Sequence, residues 1–125
     1  MADILVVDDD SSVLDACRLF LEREKHEVRG AFSRGEGMQQ IREKMPDLLI
    51  LDVMMEQPDD GIAMAQQLRQ SGFVRPILML TSVNKVIQLE YGKDADILPV
   101  DAFEEKPISP ERLISLVNSL LRGKE

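Results

Sequence analysis

At 125 residues the chain has room for one hydrophobic core and is too short for two comfortable ones. Hydrophobic residues make up 44% and charged ones 30%, a globular balance that excludes a disordered chain. Fifteen Lys and Arg against 23 Asp and Glu leave a formal charge of −8, which argues against phosphate-backbone binding, and the single Cys17 excludes an internal disulfide.

The amino terminus lacks a basic region, and Asp3 and Asp8 interrupt its apolar run, so it does not read as a signal peptide. No apolar segment approaches the roughly 18 residues that a bilayer requires. The expectation is a soluble, cytoplasmic, single domain over residues 1–125, with no direct nucleic-acid or membrane partner.

Ile4-Leu-Val-Val7 is a short apolar run that reads as a first strand and ends in Asp8-Asp9-Asp10. A helix follows, with Ser12 and Asp15 at capping-box spacing and Val13, Leu14, Cys17, Phe20 and Leu21 on its apolar stripe. Cys17 on that stripe reads as core. Glu27 to Ala31 is a weaker strand, expected near a sheet edge, and His26 before it reads as a helix-end surface residue. Ser33 to Met45 predicts a helix with Met38, Ile41 and Met45 inward. Gly35 and Gly37 in its first turns do not form a phosphate-cradling loop, since neither glycine-rich nucleotide motif occurs in the chain.

Pro46-Asp-Leu-Leu-Ile-Leu-Asp-Val-Met-Met55 organises everything else. Four apolar residues in a row suit a strand buried on both faces of a parallel sheet, and that strand runs straight into Asp52. A polar loop, Glu56 to Gly61, leads to a helix carrying Ile62, Ala65 and Leu68 and stopped by Gly72. Pro76-Ile-Leu-Met-Leu80 is the fourth strand, leading into Thr81 and Ser82. Val83, Val86, Ile87 and Tyr91 suggest a short helix closed by Gly92. Ala102 to Glu105 is a poor fifth strand by pattern, placed mainly by its surroundings. Ser109-Pro110 caps a last helix with Leu113, Ile114, Val117, Leu120 and Leu121 inward and Gly123 at its end. Five strands alternating with five helices predict an α/β fold with a parallel sheet covered on both faces.

Right-handed crossovers bring the strand ends to one edge, and with them Asp8, Asp9, Asp52, Thr81 and Lys106. Clustered carboxylates repel one another unless a divalent cation with oxygen ligands compensates, and Mg²⁺ suits such a set. A lysine and a hydroxyl beside the metal provide what a phosphoryl group requires, so Asp52 can be a nucleophile that forms an aspartyl phosphate.

Ile4-Leu-Val-Val-Asp-Asp-Asp10, Pro46 to Met55, Pro76-Ile-Leu-Met-Leu-Thr-Ser82 and Phe103-Glu-Glu-Lys-Pro107, in this order, resemble the receiver domain of two-component response regulators across essentially the whole chain. The resemblance implies a flavodoxin-like (βα)5 three-layer sandwich with strand order 2-1-3-4-5. It implies that Asp52 is the phosphoacceptor and that Asp9, Asp52 and the Met54 carbonyl hold Mg²⁺, with Asp8 reaching the metal through water. Thr81 would bond a phosphoryl oxygen and switch position, Lys106 would pair with another, and Phe103 matches the switch aromatic. The partners implied are a sensor histidine kinase or phosphotransfer protein and a downstream target that reads the surface of the fourth helix, fifth strand and fifth helix. Met54 and Val83, two residues after the phosphoacceptor and two after the threonine, would flank the path of water to the phosphoryl group.

The sequence departs from the family in two places. Glu56 stands where a proline is usual, in a loop one residue longer. Lys93-Asp-Ala-Asp-Ile-Leu-Pro-Val100 replaces the customary Gly-Ala before the fifth strand, so the docking surface there is atypical. With no output domain expected after the last helix, action by docking or phosphate relay is expected, unless the chain is one domain of a longer protein. A rival reading comes from Asp8-Asp9-Asp10-Ser-Ser12, which loosely matches the nucleophile motif of haloacid-dehalogenase-like phosphatases. There Asp8 would be the nucleophile and Asp10 the acid/base. That family expects an acidic pair on a strand after the lysine, and only Glu111 follows nearby.

Overall fold

The computed structural model of the chain describes residues 2–53, 55, 60–81, 99–106 and 108–123, with the backbone alone at Thr81. The helix expected over Val83–Gly92 lies outside these residues, as do Met54 and Val83 themselves. In chain order the elements are β1 (Asp3–Val7), α1 (Ser11–Glu22), β2 (Glu27–Ala31), α2 (Arg34–Glu43), β3 (Leu48–Asp52), α3 (Asp60–Gln70), β4 (Ile77–Thr81), β5 (Ala102–Glu105) and α4 (Pro110–Leu121). The strands form one parallel sheet in the order β2-β1-β3-β4-β5, as the resemblance implied.

The apolar runs of β1 and β3 are buried along their whole length because helices cover both faces of the sheet. Alternate residues divide between two cores. Leu5, Val7, Leu49, Leu51, Ile77 and Met79 meet α3 through Met64, Ala65 and Leu68, and α2 through Ile41. Ile4, Val6, Leu48, Ile50, Leu78 and Leu80 meet Leu14, Cys17 and Leu21 of α1 and Leu113, Val117 and Leu120 of α4. Burial of one such leucine is worth roughly 1.5–3 kcal/mol. The two edge strands are less covered: β2 is buried only at Val28 and Ala31, and β5 is half-buried at Ala102, Phe103 and Glu104.

Local capping differs from the pattern in one helix. Asp10, and not Ser12 with Asp15, caps α1: its carboxylate accepts the Ser12 amide at 2.9 Å and the Ser12 hydroxyl at 2.7 Å. An Asp two residues ahead of the first free amide reaches it directly, so the capping box is unnecessary. Ser33 and Ser109 cap α2 and α4, with Pro110 at the first position of α4. Met45, expected inward, is half exposed because α2 ends at Glu43 and Lys44 is already extended. His26 is half-buried, and its Nδ1 accepts the Ala2 amide at 3.2 Å. Gly72 and Gly123 take positive φ (98° and 73°) just beyond α3 and α4, where a side chain would be strained.

Candidate functional site

The carboxyl edge of the sheet gathers the predicted acidic residues. Asp52 is the last residue of β3, while Asp8 and Asp9 directly follow β1. The in-register pairing of Val7 with Leu51 sets these strand ends side by side. Asp8, Asp9 and Asp52 each offer a carboxylate oxygen, and the three oxygens lie within 4.8 Å of one another. Asp8 and Asp52 are buried and Asp9 is exposed, so the cluster opens to solvent on one side.

Lys106, immediately after β5, reaches over the same cluster. Its Nζ donates to Asp8 Oδ2 at 2.7 Å and lies 3.5 Å from Asp52 Oδ1. The other Asp8 oxygen accepts the Asp10 amide at 2.9 Å. Burial pushes the Asp52 carboxyl up to about 6, and the neighbouring charge of Asp8 adds to the rise against the pull of Lys106. Burial alone would lower the Lys106 ammonium, but the hydrogen bond to Asp8 and the charges of Asp52 and Asp8 outweigh it and raise it. One lysine faces a cluster of three carboxylates, and their unbalanced charge adds to the rise at Asp52 that burial begins.

The fit to Mg²⁺ follows from this donor set. All the candidate ligands are hard oxygens, one carboxylate faces water, and the clustered negative charge calls for a divalent cation. The residues fit the ion.

Thr81 ends β4 in register with Glu105, one residue before Lys106. Phe103 pairs with Met79 across the β4–β5 boundary and packs half-buried against the core on the α3 side. Met54 and Val83 fall outside the described residues, so the carbonyl ligand and the water path are not placed.

Three comparisons with known proteins agree. Residues 4–118 match the family model described as the response regulator receiver domain. The chain belongs to that family. The PhoP alkaline phosphatase synthesis transcriptional regulatory protein of Bacillus subtilis is 37% identical over 126 residues, covering 98% of this chain and 49% of its own. The response regulator MprA of Mycobacterium ulcerans is 38% identical over 119 residues, covering 95% and 50%. The chain thus spans about half the length of the curated relatives it matches. A putative response regulator from Chloroflexus aurantiacus has a solved structure 31% identical, with a TM-score of 0.85 over 97% of this chain and 98% of that one.

Within the receiver domain, two features had little sequence signal. One is the direct Lys106–Asp8 bond, which joins residues 98 positions apart. The other is Gly61, whose amide donates to Val53 O at 2.7 Å and where a Cβ would collide with the Asp52 carbonyl. Only the glycine at a helix start hinted at that close approach.

Proposed function

We propose that the chain is a phosphoacceptor receiver in which Asp52 takes a phosphoryl group from a histidine kinase or phosphotransfer protein in Mg²⁺. The observation that carries this reading is the convergence of three aspartates and one lysine at the carboxyl edge of the sheet. Asp8, Asp9 and Asp52, with the Met54 carbonyl, would hold the ion. Bound there, Mg²⁺ supplies positive charge that offsets carboxylate repulsion and the charge on a transferring phosphoryl group.

Asp52 sits at the end of a fully buried strand, so its attacking oxygen is held without side-chain search. It attacks phosphorus in line as the phosphorus–nitrogen bond of the phosphohistidine breaks, and the leaving imidazole keeps the electron pair. Lys106 exchanges its bond to Asp8 for one to a phosphoryl oxygen. Thr81 donates its hydroxyl to another, and Phe103 follows as the switch aromatic. Small phosphodonors support the same transfer weakly, and water reverses it slowly. The output is a changed surface around β5 and α4, read by a protein target. Among the described residues no helix is long and apolar enough to cross a membrane, and we assign the protein to the cytoplasm.

The phosphatase reading requires Asp10 as acid/base. Its carboxylate is engaged in capping α1 and held below the ordinary range by the Ser12 hydroxyl and amide, which does not suit a proton donor. The test is labelling by acetyl phosphate with Mg²⁺: the wild type takes up one phosphoryl group and Asp52→Asn takes up none. Equal labelling of the two would overturn the reading.

A further inference from the structure

Lys106 stands at the end of a strand that has little to hold it. β5 is an edge strand of four residues with only β4 beside it, and none of its side chains is fully buried. A strand whose faces are only half-buried has a less firmly specified register than one with a fully buried face. A slip of one residue would move Lys106 by about 3.3 Å, enough to break its bond to Asp8.

The other end of β5 is fastened. Asp101, just before the strand, donates its amide to Ile77 O at 2.9 Å, and its Oδ2 accepts the Ile77 amide at 2.8 Å. That same oxygen accepts from Arg69 Nη2 at 2.8 Å. Arg69, in the last turn of α3, also donates to the carbonyls of Pro99 (3.0 Å), Phe73 (3.0 Å) and Arg75 (2.8 Å). One guanidinium therefore ties the end of α3, the approach to β4 and the approach to β5 together. Its planar fork spreads donors over three nitrogens, all used here, whereas a lysine has a single nitrogen.

We propose, on the reading that Lys106 serves phosphotransfer to Asp52, that Arg69 is a positioning residue for Lys106. With Asp101 it sets the register of β5, and through the strand it sets where the ammonium meets the carboxylates. The distance is bridged by five residues of extended chain, at about 3.3 Å each, with no side chain in between. Arg69 touches neither Asp52 nor the phosphoryl group.

The experiment is a double-mutant cycle on phosphorylation by acetyl phosphate in saturating Mg²⁺, paired with nitrogen-detected NMR of the lysine ammonium groups. Arg69→Met keeps an unbranched stem and removes the fork, whose Cζ lies 5.8 Å from the centre of the Phe73 ring. It should slow phosphorylation about tenfold, the order expected of a misplaced group. In a Lys106→Ala background it should have no further effect. The Lys106 ammonium signal, protected by its bond to Asp8, should be lost in Arg69→Met, and Arg69→Lys should not restore it. An unchanged rate, an equal slowing in the Lys106→Ala background, or an unchanged ammonium signal would each overturn the inference. If Lys106→Ala alone reacts at the parental rate, the role given to Lys106 fails, while the ammonium signal still decides whether Arg69 places it. Should Arg69→Met not fold, Asp101→Asn, which keeps an acceptor for Ile77, takes its place in both measurements.

Discussion

Lys106 is bonded to Asp8 at 2.7 Å, and at 3.5 Å it stands farther from Asp52. The lysine is therefore held by a carboxylate proposed to reach the metal through water, and it must turn away to meet a phosphoryl oxygen. It also serves as the counter-charge of a buried cluster. Lys106→Ala should lower metal-free stability by about 2 kcal/mol, since Asp8 keeps its charge without its partner. The same variant should gain more from millimolar Mg²⁺ than the wild type does, because the ion replaces the missing charge by mass action. Asp9→Ala should remove most of the Mg²⁺ effect. Thermal melts of the three proteins with and without Mg²⁺ check this, and a wild type indifferent to the ion would count against the site.

Asp52 gives a pH dependence of definite sign. Its carboxyl is raised to about 6 in the fold, so the folded state holds a proton that the unfolded state, with an ordinary carboxylate, has lost. This contribution to stability is present below the ordinary carboxylate range and is lost as pH rises through 6. A rise from the ordinary 3.8 to about 6 corresponds to about 3 kcal/mol between charge states. In metal-free buffer Asp52→Asn should therefore melt roughly 10 °C above the wild type at pH 8. The gain should shrink steadily as the pH is lowered through 6 towards 4. A gain of constant size would show that charge is not its cause.

Met54 and Val83 are apolar at the two positions proposed to flank the path of water. Neither side chain can orient a nucleophile, so the phosphorylated state should be long-lived. Met54→Asn with Val83→Glu should speed self-dephosphorylation about tenfold, roughly 1.4 kcal/mol of barrier. Decay of purified phosphoprotein in Mg²⁺ buffer measures it, and a wild type that already decays as fast as the double variant would remove the argument.

The central strands were legible because their burial is written as continuous apolar runs. Ile4 to Val7, Leu48 to Leu51 and Ile77 to Leu80 each occupy a buried strand, and the acidic residues that end the first two lie side by side. β5 was nearly illegible for the opposite reason: an edge strand half-buried at Ala102, Phe103 and Glu104 carries no run and no clean alternation. Its fastening at Asp101 depends on Arg69, 32 residues earlier, and a pair that distant leaves no periodic trace. Met45 misled because a helical stripe continues on paper beyond the point where Lys44 leaves the helix. Asp10 closes an acidic run in the sequence, whereas its carboxylate caps the first turn of α1.

Where the phosphoryl group lands decides the account. Asp8 and Asp52 are both buried carboxylates beside the same lysine, so a label somewhere on the protein does not distinguish them. The protein should be phosphorylated with acetyl phosphate in Mg²⁺, the acyl phosphate trapped by reduction with borohydride, and the modified peptide sequenced by mass spectrometry. The account predicts modification at Asp52 alone. Modification at Asp8 with Asp52 unmodified would contradict it and restore the phosphatase reading.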